Sequence, residues 1–172
     1  MKNFVFFLFV IGFSALNLFA QTPNFSGEWT LEKGKSKMDE RQAAMIESQS
    51  LKVEQTEREV KVTVTTKQAG NQGGQRADIG GGGNTYLLNG QEFNNESQSQ
   101  IGTVLTKTKG EIKDGKLNLQ SVRTVDAPMG QITITTKETW ELSADGKTLT
   151  VKSTRPGRDG AEMTTETVFT KS

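Results

Sequence analysis

Glu138, Arg123 and Arg155 are the residues whose chemistry most needs an explanation. Glu138 belongs to an alternating run, Gln131 to Leu142, and shares its side with Ile132, Ile134, Trp140 and Leu142. A carboxylate in an apolar row is costly unless it is hydrogen-bonded, paired or wet. If Leu142 faces Leu149 and Trp140 faces Val151, Ser153 falls opposite Glu138 as a hydrogen-bond partner. The same register turns Ser121, Arg123, Thr136 and Arg155 to the inner side. A planar guanidinium there suits a ligand carboxylate or another anionic group. The plainer reading, which we favour, puts both arginines at strand ends with their heads extended to solvent. With Trp29 and Trp140 as aromatic walls, the candidate ligand-binding set is Trp29, Arg123, Glu138, Trp140, Ser153 and Arg155.

The residue types argue against most enzyme classes. The 172 residues contain no His and no Cys. The commonest general base, the commonest zinc ligand, thiolate metal sites, cysteine nucleophiles and disulfides are therefore missing. Glu138 and Glu166 could be paired as the acid and base of a hydrolase. Nothing sets their separation, however, and carboxylates on strands are ordinarily solvated or ion-paired. The glycine-rich stretch from Gly70 to Gly83 is followed by neither Gly-Lys-Ser/Thr nor a helix, so it is no phosphate loop. The Asn24 and Asn95 glycosylation sequons are read as chance. The expectation is a non-catalytic protein without cofactor or metal.

Residues 1–20 form a separate object: Lys2, an apolar run from Phe4 to Phe13, and Ala20 ahead of Gln21. That is the pattern of a Sec signal peptide, although Leu18 stands where a small residue is usual. The run is short for a span of ~20 residues. The expected mature chain is a single domain, 21–172, exported to the periplasm or the exterior, monomeric and without a membrane span. Lys2 is the only charged residue of 1–20, so of 21 Lys+Arg and 20 Asp+Glu the remainder carries 20 of each. Zero net charge offers no electrostatic case for nucleic acid or an anionic membrane. Large apolar side chains are scarce after residue 20, which favours a sheet protein with a thin core.

The elements that must position these residues read almost wholly as strands. Asp145-Gly146 divides two alternating runs and predicts a type I′ hairpin. Asn89-Gly90 predicts another, with Tyr86 facing Phe93, and Asp114-Gly115 a third, with Ile112 facing Leu117. Val53 is expected opposite Val60, Leu117 opposite Glu138, and Arg123 opposite Ile132. Residues 36–48 are the one helix candidate, capped by Ser36. Residues 67–84 read as a flexible glycine-rich loop. Some 8–10 short antiparallel strands in an up-and-down meander indicate a barrel or sandwich.

Gly27-Glu28-Trp29 in the first strand, followed by a short helix and a string of hairpins, resembles the lipocalin and fatty-acid-binding-protein group of β-barrels. NFSGEWTLEKGKSKM, TYLLNGQEF and ETWELSADGKTLTVKS look like the small exported lipocalin-like domain proteins of bacteria; the likeness spans most of residues 24–171. It implies an all-β barrel that holds a small hydrophobic or amphipathic molecule. It also implies that Trp29 packs across the closed end, with Lys171 as the basic partner from the last strand. The long glycine-rich loop is not part of that pattern. The competing expectation is a ligandless structural or interaction module of the cell envelope, packed solid. A lumen of ~300 Å³ or more favours the binder.

Overall fold

The computed structural model describes residues 22–70, 83–99, 102–127, 130–157 and 160–172. The strands are β1 (Gly27–Leu31), β2 (Ile46–Gln55), β3 (Glu59–Gln68), β4 (Asn84–Leu87) and β5 (Phe93–Ser99). They continue with β6 (Gly102–Lys113), β7 (Lys116–Ala127), β8 (Gly130–Leu142), β9 (Thr148–Pro156) and β10 (Glu162–Lys171). All ten form one antiparallel sheet in the order β4-β3-β2-β1-β10-β9-β8-β7-β6-β5. The first and last strands are neighbours, and the chain wraps into an up-and-down barrel, as the meander predicts. The sheet's two edges, β4 and β5, meet without a ladder. The expected hairpin that set Tyr86 against Phe93 is therefore not formed. Tyr86 pairs with Val60 on β3, and Phe93 pairs with Thr108 on β6.

Side chains close the gap in place of a ladder. The Asn95 side chain accepts from Thr85 N–H at 2.8 Å and donates to Thr85 C=O at 3.1 Å, imitating the backbone partner that β4 lacks. It also donates to the Thr108 hydroxyl at 2.8 Å, and that hydroxyl in turn donates to Thr85 C=O. Further down, the Asn89-Gly90 turn leans on β6 instead, with Gly90 N–H donating to Gly110 C=O at 3.0 Å. A side chain at 110 would crowd Leu119 and Tyr86, so the glycine lets the two edges approach.

The core sits at one end of the barrel. Phe25, Trp29, Leu117 and Leu149 are fully buried, with Trp140 and Phe169 almost so. The segment before β1 plugs this end. Phe25 meets Trp140 edge-on at 6.5 Å, its carbonyl accepts from the Trp29 indole at 3.0 Å, and its N–H donates to the Gln55 side chain at 2.8 Å. Lys171 lies over the Trp29 ring, Nζ 5.2 Å from the centroid, the pairing that the resemblance implies. Gly27 makes room for it: its φ is +142°, and a Cβ there would stand 2.7 Å from Lys171 Cε.

Several local expectations need correction. The helix is short, α1 (Glu40–Met45), and its cap is Asp39, which accepts from Arg41 N–H at 2.9 Å. Ser36 instead takes Val168 N–H at 2.9 Å and ties the segment to β10, while residues 46–48 begin β2. The Asp145 loop keeps the predicted register, Leu142 with Leu149, but it is not a type I′ turn: only Gly146 has positive φ. Ser143 donates to the Asp145 carboxylate at 2.6 Å and accepts from Thr148 N–H at 2.9 Å, which holds a wider loop. The Ser143 hydroxyl, and after it the Lys147 N–H, hold the Asp145 carboxyl below its ordinary range. The pair of positive φ values belongs to Asp114 and Gly115.

Two registers are off by two: Val53 faces Val62, and Leu117 faces Trp140. Each turn is closed one residue later than the sequence implies, at Gln55–Val60 and Ala127–Gly130. An even slip preserves the face, so the same side chains still point inward. Of the expected 67–84 loop, residues 67, 68 and 84 belong to strands, and 71–82 lie outside the described residues. The expected signal peptide 1–20 also lies outside them.

Candidate functional site

Above the plug, the barrel holds a half-open cavity of about 570 Å³. Its walls are apolar near the floor, from Leu51, Val62, Trp140, Val151 and Phe169, and polar above. The β7–β8–β9 registers stack the walls in layers. Trp140, Val151 and Thr167 form one layer near the floor, and Glu138, Ser153 and Thr165 the next. Ser121 and Thr136 follow one pleat higher, level with Arg155, and then Arg123 with Ile134. At ~3.4 Å per residue, Glu138 lies ~14 Å below the Arg123–Ile134 level.

Glu138 is the deepest charged group of this cavity. Its Oε2 accepts from the Trp140 indole at 2.8 Å. Protein surrounds the carboxyl, and the residue, half-buried as a whole, lines the cavity wall. Burial raises its pKa, and the Trp140 bond offsets part of that rise. Tyr86, across the lumen on β4, is likewise pushed well above the ordinary phenol range. Its burial comes first among the causes and the Glu138 charge second, against a hydrogen bond with Asn84. Glu138, Trp140, Tyr86 and Asn84 all line the cavity.

The cavity brings together five of the six residues that the sequence singles out: Arg123, Glu138, Trp140, Ser153 and Arg155. Arg155 is exposed and Arg123 half-buried, so both guanidinium groups belong to the upper lumen. Trp29 is not among the walls. It is fully buried in the plug, held by the Phe25 carbonyl. Ser153 does face Glu138 across the ladder, but the carboxylate's hydrogen bond comes from Trp140, whose indole reaches it along the same strand. Ile132 and Ile134, expected inside, are 52% and 40% exposed. The β8–β9 ladder starts only at Lys137, so this part of β8 flanks β7 alone at the rim.

Tyr86 and Asn84 escape a sequence reading because the Asn89-Gly90 turn points to pairing with β5. Had β4 been aligned with β3, the alternation of Val60 and Val62 would have turned both inward. Glu166, the proposed second carboxylate of a hydrolase, is bound on the outside of the lumen to Lys37 at 3.0 Å. Among the described residues there is no cluster of acidic side chains that could hold a metal ion.

Among solved structures, zebrafish ileal bile acid-binding protein in complex with cholic acid matches this chain with a TM-score of 0.50. The match covers 86% of this chain and 98% of that one at 17% identity. The fold is that of the lipocalin and fatty-acid-binding barrels. Ten antiparallel strands in a nearly closed barrel, with a short helix after the first, carry that likeness; at this identity it extends to the fold alone. No family model and no curated protein sequence matches the chain.

Proposed function

We propose that the protein is a non-catalytic carrier that holds one small hydrophobic or amphipathic molecule in its barrel. The observation that carries this reading is the cavity of about 570 Å³, with apolar walls below and convergent polar groups above. That exceeds the ~300 Å³ at which ligand pockets begin, whereas a solid-packed module would leave no such space. The bile acid-binding barrel was solved with cholic acid, a small amphipathic molecule, and a molecule of that class is compatible with the walls here. Arg123 and Arg155 would meet an anionic group near the mouth. The absence of His and Cys from the sequence supports binding without chemistry. Residues 1–20 support export through the Sec route, to the periplasm or the exterior, where the carrier acts as a monomer.

Native mass spectrometry of protein purified from its own host tests this directly. The expected result is a retained mass of a few hundred daltons that is lost on denaturation. Titration with fatty acids, cholate and hydrophobic dyes should change Trp140 fluorescence, since that indole lines the cavity. A clean apo mass together with an unresponsive fluorescence signal across the whole panel would overturn the carrier reading.

A further inference from the structure

The arrangement of the lumen is polarised. Both guanidinium groups lie at its upper levels, and its one deep charged group is a carboxyl. Oε2 of Glu138 is occupied by the Trp140 indole. Among the described residues, Oε1 takes no hydrogen bond. The Ser153 hydroxyl beside it on the next strand likewise has no hydrogen-bond partner among them. Two polar groups on one layer of a cavity wall, each with bonding capacity left over, make a subsite and not a structural network. A ligand methyl placed there would leave both unsatisfied, and an anionic group would meet the carboxylate.

We propose that Glu138 and Ser153 form a deep subsite for a ligand hydroxyl, so that the molecule goes in hydroxyl-first and keeps its anionic group at the Arg123–Arg155 mouth. This rests on the carrier reading and adds polarity to it. A hydroxyl both donates and accepts, so it satisfies Glu138 in either protonation state: it donates to the ionised carboxylate and accepts from the neutral acid. An ammonium group suits only the ionised form and a carbonyl only the neutral one. The ~14 Å between the Glu138 and Arg123 levels suits an elongated molecule with polar groups at both ends.

The probes are dodecanoate and 12-hydroxydodecanoate, which differ only in the terminal hydroxyl. Transfer from water into an apolar pocket favours dodecanoate, so a preference for the hydroxylated chain requires a polar partner at the far end. Wild-type protein should bind 12-hydroxydodecanoate at least about tenfold more tightly, a hydrogen bond to a charged or acidic group being sufficient for that. Glu138→Leu should reverse the order. Glu138→Gln, which retains an acceptor and a donor at the same place, should keep part of the preference and guards against misreading an unfolded Leu variant. Equal binding, or tighter dodecanoate binding, by wild type overturns the hydroxyl subsite and leaves the carrier intact. Binding of neither chain, nor of any other probe in the panel above, counts against the carrier itself. An unchanged preference in both variants assigns the hydroxyl to another part of the lumen and also overturns the proposal.

Discussion

The Asn95 clamp offers the sharpest quantitative test of how the barrel is closed. Replacing Asn95 by Ala removes the acceptor for Thr85 N–H, the donor to Thr85 C=O and the donor to the Thr108 hydroxyl. Each such bond contributes a net ~1 kcal/mol. Asn95 is half-buried at the gap, so water can reach the freed Thr85 groups and limit the loss. The expected destabilisation is therefore about 2–3 kcal/mol, a large share of the 5–15 kcal/mol typical of a domain. For a chain of this size that corresponds to a fall in Tm of about 5–10 °C. Urea denaturation followed by fluorescence of Trp29 and Trp140 measures it, with the m value unchanged because the same surface is exposed on unfolding. Asn95→Asp separates the bonds further. It still accepts from Thr85 N–H but cannot donate, and it sets a carboxylate against the Thr85 carbonyl, so it should be no more stable than the Ala variant. A loss below about 0.5 kcal/mol for Asn95→Ala would refute the reasoning and show that the edges are held without the side-chain clamp.

Three further outcomes are expected. Glu138 makes wild-type stability fall with rising pH: unfolded, it titrates near 4.5, and burial raises that value in the fold. Below 4.5 both states carry the proton; above it the unfolded chain releases it first, so wild type loses stability relative to Glu138→Gln until the folded pKa is passed. Each unit between the two values is worth ~1.4 kcal/mol. Tyr86, Arg123 and Arg155 share the lumen, so the comparison is made as the Tm difference between the two proteins from pH 4 to 8; a constant difference would contradict the burial argument. Gly27→Ala, strained at φ +142° and facing Lys171, should cost about 1–3 kcal/mol in urea denaturation, and adding Lys171→Ala should recover only the steric part. Leu149→Ala, at a fully buried site of the floor, should cost about 2–5 kcal/mol in the same assay with ligand binding weakened only secondarily.

Parity was the most legible property of this chain, and register the least. Alternation alone placed Arg123, Glu138, Trp140, Ser153 and Arg155 on one inner face, because a strand's side chains keep their face through any even slip. Where the turns lay decided the rest, and turn chemistry was ambiguous. Asp145-Gly146 and Asp114-Gly115 read alike, yet only the second adopts two positive φ values, since Ser143 offers the first a set of competing side-chain bonds. The role of Tyr86 was hidden because a hairpin signal at Asn89-Gly90 describes a bend and not the partner of the strand before it. Gly27-Glu28-Trp29 was informative for the opposite reason. Glycine is required where Lys171 crosses, so the motif reports a long-range contact and not a local preference.

That contact joins residues near opposite ends of the described chain. Trp29 pairs with Lys171, and Ser172 N–H donates to the Glu28 carbonyl at 2.9 Å, so β1 has a partner on one side only once the final residues are present. Closing a loop of that length carries an entropic cost that grows only with the logarithm of its size, but it must be met before the contacts it permits can form. Folding dominated by such distant pairings is slow compared with that of helical domains of equal stability. A chain short of β10 therefore lacks the seam that covers Trp29, and the assembly of the plug is expected to be a late event in folding. The sheet thus stays open at Trp29 until β10 is available to pair with β1.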